Sequence, residues 1–241
     1  MTLYDLIMSF RLKPFAMISE KTVSDVLRIS RSPVREALAR LAHVGLVDIY
    51  KQRGTVVAPL RVVDLQRSQF LRECVEVGLL RKACALADRA ELLQSLRGEI
   101  ALQEALASIE DHRRFARSDE LFHQHIATAA GLAGIWTDID TAKIHMNRFR
   151  MLTFPNLDSL TTIISQHRSL AEAIEGGEEA AAIDVMQVHL RKIFPLVPSL
   201  VARFPEYFEE RGGPDVHRPD LASLLTGPGG ERVADADAVM A

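Results

Sequence analysis

Ser30-Arg31-Ser32-Pro33-Val34-Arg35-Glu36-Ala37-Leu38, followed by Leu41 and by Gly45-Leu46-Val47, is the stretch on which the reading of this chain turns. Ser32 reads as an N-cap, Pro33 suits the first helical position, and Glu36 puts an acid in the first turn, where the helix dipole favours it. Val34, Ala37, Leu38, Leu41 and Ala42 then recur at helical spacing until Gly45 ends the helix. Ser19 is another N-cap, ahead of a helix from Glu20 to Val26 or Leu27, and Arg28-Ile29-Ser30 between the two helices is too short for anything but a turn. Upstream, Leu3, Leu6, Ile7 and Phe10 mark a short amphipathic helix over residues 3–11 that stops before Pro14. Downstream, residues 46–50 and 55–58 are β-prone runs joined by Lys51-Gln52-Arg53-Gly54, a hairpin with its glycine in the turn. Helix, helix, turn, helix and hairpin is a winged helix-turn-helix.

Charge agrees with that reading once it is divided. The 241 residues carry a net charge of −3, but residues 1–61 hold three Lys and seven Arg against two Glu and three Asp, which is +5 and leaves −8 for the remainder. Phosphate neutralisation needs local positive charge, not a basic whole chain. Such a unit inserts the N-terminal residues of its second helix at base edges while the first helix and the wing touch the backbone. Arg31 and Arg35 stand four apart on one face there, and a guanidinium fork matches guanine O6 and N7 or a phosphate. Spacing alone leaves open two solvated arginines, one paired to Glu36 or Glu20.

Two cysteines, Cys74 and Cys84, exclude a disulfide framework and suit a reducing cytoplasm. Residues 1–16 are broken by Asp5, Arg11, Lys13 and Pro14, against a secretory leader, and nowhere do 18 apolar residues run uninterrupted. A cytoplasmic protein without membrane partners is expected.

Beyond a connector at 61–64 the pattern is nearly all helical. Six amphipathic segments run over 62–87, 89–108, 111–130, 134–153, 158–176 and 178–204, broken by Gly131, Gly134, Pro155-Asn156 and Gly176-Gly177. Glycine and proline crowd the stretch after Gly212, whose large apolar residues are few beyond Leu221, Leu224 and Leu225. The expected fold class is therefore mainly α: a winged helix-turn-helix over 1–61, an all-α bundle of six to seven helices over 62–210, and a disordered tail over 211–241. No GxGxxG, GK[ST] or GxSxG motif is present.

Of eight histidines, His43, His112, His125, His145 and His217 need no special account. The other three interrupt apolar stripes: His123 with Phe115, Asp119, Ile126 and Ala130; His167 with Ile163, Leu170 and Ile174; His189 with Ala182, Met186 and Ile193. Asp119, four residues before His123, puts a carboxylate beside an imidazole on the same inward face, and a buried acid needs a partner. One such histidine is usually a satisfied core residue. Three on three helices with an aspartate suit Zn²⁺, Ni²⁺, Mn²⁺ or Fe²⁺, with zinc expected in purified protein, and a six-coordinate ion keeps open positions.

The string around Ser30–Leu38, with Leu41, Gly45-Leu46-Val47 and Arg53-Gly54-Thr55-Val56-Val57, resembles the N-terminal domain of GntR-type bacterial transcription regulators. The helical remainder is similar to the ligand domain of the FadR subfamily, of the metal-binding FCD type found in RspR-like regulators, and the similarity as a whole extends over residues 7–207. By that resemblance Lys21, Arg31, Ser32 and Arg35 occupy DNA-contact positions and Arg53 with Gly54 forms the wing tip. Asp119, His123, His167 and His189 fall on the metal ligands, open coordination positions would accept a small carboxylate or hydroxy acid, and Arg72 and Arg148 occupy effector-binding positions. Either arginine could instead be a surface ion pair, Arg72 with Glu76 for instance. The chain departs from the family at Phe15 and Arg28, where glycine is usual.

The resemblance implies a homodimeric, non-enzymatic repressor of a catabolic operon that binds double-stranded operator DNA; order in the chain makes the connector in the 60s, leading into the helix over 65–87, the element expected to carry the signal. A metal-dependent hydrolase or isomerase of small acids, and a metal that only staples the bundle, are the competing readings.

Overall fold

The computed structural model describes residues 2–51, 54–153, 157–208 and 217–226. In chain order its elements are α1 Leu3–Met8, β1 Met17–Ile18, α2 Glu20–Leu27, α3 Arg31–His43, β2 Val47–Tyr50, β3 Gly54–Val57, α4 Val62–Cys84, α5 Ala90–Ser108, α6 His112–Ala129, α7 Trp136–Ala142, α8 Ile144–Thr153, α9 Leu157–Gly176, α10 Glu179–Leu190, α11 Val197–Arg203 and α12 Leu221–Thr226. They divide into two compact units, residues 1–65, 144–152 and 197–241 forming one, residues 66–143 and 153–196 the other.

The first unit is built around the winged helix. Ser19 caps α2 by accepting from the Thr22 amide at 3.2 Å. The cap of α3 is Ser30 and not Ser32, so Pro33 and Glu36 lie deeper in the helix than the sequence suggests. At its other end the Leu46 amide donates to Leu41 O and the Gly45 amide to Ala42 O, a Schellman closure that requires the positive φ of Gly45. β1 adds a third strand to the expected hairpin, in the order β1-β3-β2, antiparallel throughout, with Met17 opposite Val56 and Ile49 opposite Thr55. Leu6, Ile7, Val34, Leu38, Leu46 and Val57 are buried together with Ile144 of α8 and Leu221 and Leu225 of α12.

Two expectations are corrected here. Residues 211–241 are not disordered throughout: α12 packs on α2, and the Met17 amide donates to His217 O at 2.8 Å. Burying Leu221 and Leu225 contributes roughly 1.5–3 kcal/mol each, enough to hold a short helix that composition alone reads as tail. Nor is 62–210 one block, because α8 and the chain after Val197 pack with the winged helix; Phe149 meets Phe208 edge-on at 5.8 Å. The remaining tail positions called disordered, with Arg53 of the wing tip, lie outside the described residues.

The second unit is all α, six helices among the described residues, with a core of Leu80, Leu96, Ile100, Phe115, Phe122, Ile126, Leu170, Ile174 and Met186. Two expected segments are broken. The 134–153 run divides at Lys143 into α7 and α8, and 178–204 passes through a 3-10 stretch at Arg191–Leu196, where Pro195 removes an amide.

Phe15 and Arg28, the departures from glycine, have φ of 65° and 57°. A side chain in the left-handed region costs about 1–2 kcal/mol, part of which glycine returns as unfolded-state entropy. Arg28→Gly is thus expected to stabilise the first unit by about 0.5–1 kcal/mol; a urea midpoint that does not rise would refute this.

Candidate functional site

α6 presents Asp119 and His123 one turn apart, α9 presents His167 and α10 presents His189. All four are buried, and one donor atom from each lies within 4.8 Å of the others. The four residues singled out in the sequence thus lie on three helices that meet in the bundle. What it missed is the layer behind. His167 Nδ1 lies 2.8 Å from Gln103 Oε1, His189 Nδ1 3.0 Å from Gln166 Oε1, and His123 Nδ1 2.6 Å from Glu76 Oε2. An amide or carboxylate oxygen only accepts, so each Nδ1 carries its proton and each Nε2 keeps a lone pair turned to the centre. Gln103 carried a signal, a polar residue on the Leu96, Ile100, Leu106 stripe of α5; Gln166 carried none.

The consequence is a concentration of acceptors. His123 Nε2 and His189 Nε2 are 3.1 Å apart, His167 Nε2 is 3.6 Å from Asp119 Oδ1, and the buried His167 Nε2 has no hydrogen-bond partner among the described residues. Lone pairs so placed repel unless a cation lies among them. Donors sharing one ion at ~2.1 Å are at most ~4.2 Å apart, so the 4.8 Å spread closes on a metal with shifts of a few tenths of an ångström. The residues fit a divalent cation.

Electrostatics keep two of the imidazoles, His167 and His189, neutral. Burial, only partly offset by Asp119, pushes His167 down to about 3, and burial with the other two imidazoles carries His189 well below its ordinary value. Burial works to raise the Glu76 carboxyl, but Arg72 and His123 outweigh it and bring it to about 2. Arg72 and Glu76 form a buried ion pair, so the alternative of a surface pair is excluded and a guanidinium stands behind His123. Arg148 is not brought to this site. It belongs to the first unit, fully buried, donating to Ala58 O at 2.7 Å and Pro59 O at 3.3 Å, and burial lowers it to about 10.

In the first unit Lys21, Arg31, Ser32, Arg35 and Gly54 are all exposed. Arg35 Nε lies 2.7 Å from Glu20, the pairing that spacing had left open, with the guanidinium side chain 66% accessible. An exposed pair of this kind contributes only ~0.2–1 kcal/mol, so Arg35 is available to an outside acceptor. Among the described residues no helix is long and apolar enough to cross a membrane.

Comparison with known proteins agrees with both units. The gntR family of bacterial regulatory proteins matches residues 2–57 and the FCD domain residues 69–192. The chain is 34% identical over 209 residues to an uncharacterized HTH-type transcriptional regulator in an unstable DNA locus of Streptomyces ambofaciens, covering 86% of each. It is 27% identical over 197 residues to the HTH-type transcriptional repressor RspR of Escherichia coli strain K12, covering 82% of this chain and 86% of RspR. The solved structure of E. coli McbR/YncC shares the fold with a TM-score of 0.62 at 18% identity, covering 84% of this chain and 94% of that one. A winged helix that matches the first and a helical unit that matches the second make this chain a member of the GntR family of bacterial regulatory proteins with an FCD domain, a DNA-binding transcription regulator and not an enzyme.

Proposed function

We propose that the protein is a homodimeric cytoplasmic repressor in which the Asp119, His123, His167 and His189 site holds a divalent metal, Zn²⁺ as purified, and a small carboxylate or hydroxy acid completes its coordination. The observation that carries this is the convergence of four buried donors, three of them histidines whose outward Nδ1 atoms lie against Glu76, Gln103 and Gln166. When bound, the ion supplies open positions for an oxygen ligand. Arg72, buried beside Glu76, supplies positive charge for the effector carboxylate. Lys21, Arg31, Ser32 and Arg35, with the Arg53-Gly54 wing tip, contact operator DNA, and the dimer reads two half-sites. The repressor relatives support the direction of control.

Titration of zinc-loaded protein with a panel of small hydroxy acids, in the presence of labelled DNA from upstream of its own gene, tests the reading. At least one acid is expected to change DNA affinity by 5–150-fold, and Asp119→Ala is expected to abolish that response. DNA binding indifferent to every acid and to a chelator would leave the metal a structural staple and overturn the sensing role.

A further inference from the structure

Glu120 follows the ligand Asp119 on α6 and turns about 100° away from it. Its carboxylate gathers both ends of α7: the Trp136 indole donates to Glu120 Oε1 at 2.9 Å, and the Lys143 ammonium pairs with the same oxygen. Lys143 also lies 3.0 Å from Asp140 and 4.9 Å from the Trp136 ring centre, and its side chain is 1% exposed. Burial works to raise the Glu120 carboxyl, but Lys143 outweighs it and leaves it below its ordinary value. The Trp136 ring stacks 6.3 Å from the imidazole of His123. One turn of α6 thus carries two candidate ligands and the anchor for Lys143.

The next residue after Lys143 begins α8, which is held in the first unit at both ends of the DNA reader. Ile144 is in the winged-helix core. His145 fills the notch left by Gly45 at the C-terminus of α3, where an added Cβ would stand 2.8 Å from its Nε2, and it bonds the Val44 backbone. Arg148 grips the Ala58 and Pro59 carbonyls where the chain leaves β3. A guanidinium this deeply buried is costly to uncouple from its acceptors, so α8 and the reader move together.

We propose that the Glu120–Lys143 ion pair and α8 form the link through which occupancy of the Asp119, His123, His167 and His189 site reaches the recognition helix. This rests on the reading of that site as a metal centre. A metal that draws the α6 ligands inward shifts Glu120 with them, Lys143 follows because its buried ammonium is paired to that carboxylate, and one peptide bond later the shift enters α8. Glu120 and Lys143 are positioning residues in this scheme and touch neither metal nor DNA. Both sites then bias one two-state element, which is what coupling requires.

Hydrogen exchange read by mass spectrometry on the full chain, with and without Zn²⁺, tests this, with the fluorescence of Trp136, the chain's one tryptophan, reporting metal affinity. In wild type, Zn²⁺ is expected to slow exchange at least three-fold in α6, α9 and α10 and also in α3 and β3. In Lys143→Met, and in the charge-neutral pair Glu120→Gln with Lys143→Met, the response of α6, α9 and α10 is expected to persist while that of α3 and β3 disappears. Persistence at α3 in both variants would overturn the proposal and return the link to the connector at residue 60 onward. A wild type that responds in α6, α9 and α10 but not in α3 would also overturn it while leaving the metal centre standing. No response in α6, α9 and α10 would remove the metal reading itself.

Discussion

His167→Ala is expected to weaken Zn²⁺ binding by on the order of a hundred-fold or more, and Asp119→Ala by a similar amount. A four-ligand zinc site is worth roughly 10–16 kcal/mol, so an even share is about 3 kcal/mol per ligand. Gln103→Ala, which removes only the acceptor holding His167 Nδ1 at 2.8 Å, is expected to cost 10–100-fold, the usual effect of losing an outer hydrogen bond. Competition with a zinc chelator measures all three. If His167→Ala competes as well as wild type, the quartet is not the metal site.

Acid extends the same prediction. His167 is held at about 3 in the folded chain against 6.5 when unfolded, so below 6.5 the unfolded chain takes up a proton that the folded one refuses. Metal-free stability therefore falls as pH drops from about 6.5 toward 3, by about 2 kcal/mol at pH 5 from this imidazole alone. Glu76, held at about 2 against 4.5, acts in a lower window: its contribution is lost only as pH falls from about 4.5 to 2. Because His167 and His189 resist protonation in the folded chain, metal should leave with the structure and not before it. Helical circular dichroism and bound zinc are expected to fall together between about pH 6 and 4; release well ahead of unfolding would contradict the burial argument.

Much of this was legible in the sequence for a physical reason. Three histidines and Asp119 break stripes that are otherwise apolar, and an interruption of a period can be seen without a fold. The helix-turn-helix was legible because caps, a proline and a glycine punctuate it, although the cap moved from Ser32 to Ser30. Pairings between distant positions were not legible. Glu76, Gln103 and Gln166 matter only because α4, α5 and α9 converge on the quartet, and β1, two residues long, exists only because β3 offers it an edge. The break at Lys143 has no glycine or proline to announce it. α12 escaped because three leucines among glycines and prolines carry too little apolar signal until a groove on α2 receives them.

Arg35→Ala is the substitution expected to change DNA binding most, with Arg31→Ala second. Each guanidinium contact to a base edge is worth ~1–3 kcal/mol. In a dimer that reads two half-sites each substitution counts twice, so the loss is expected to span roughly thirty-fold to twenty-thousand-fold. Fold stability should not follow. Arg35 is exposed and pairs with Glu20 at 2.7 Å, a surface pair worth ~0.2–1 kcal/mol. That pair also competes with DNA for the guanidinium, so Glu20→Gln, which removes the competitor and a negative charge beside the phosphates, is expected to tighten binding, most visibly at low salt. The salt slope separates the two kinds of contact: losing a phosphate ligand lowers it by about one unit per head, whereas losing a base contact leaves it nearly unchanged and relaxes discrimination at one base pair. Anisotropy titrations of Arg31→Ala and Arg35→Ala at several salt concentrations therefore assign each arginine to base or backbone. Wild-type affinity in both variants would place the DNA-reading face elsewhere on the chain, because no rearrangement of a solvated arginine could conceal the loss of a contact that the complex makes.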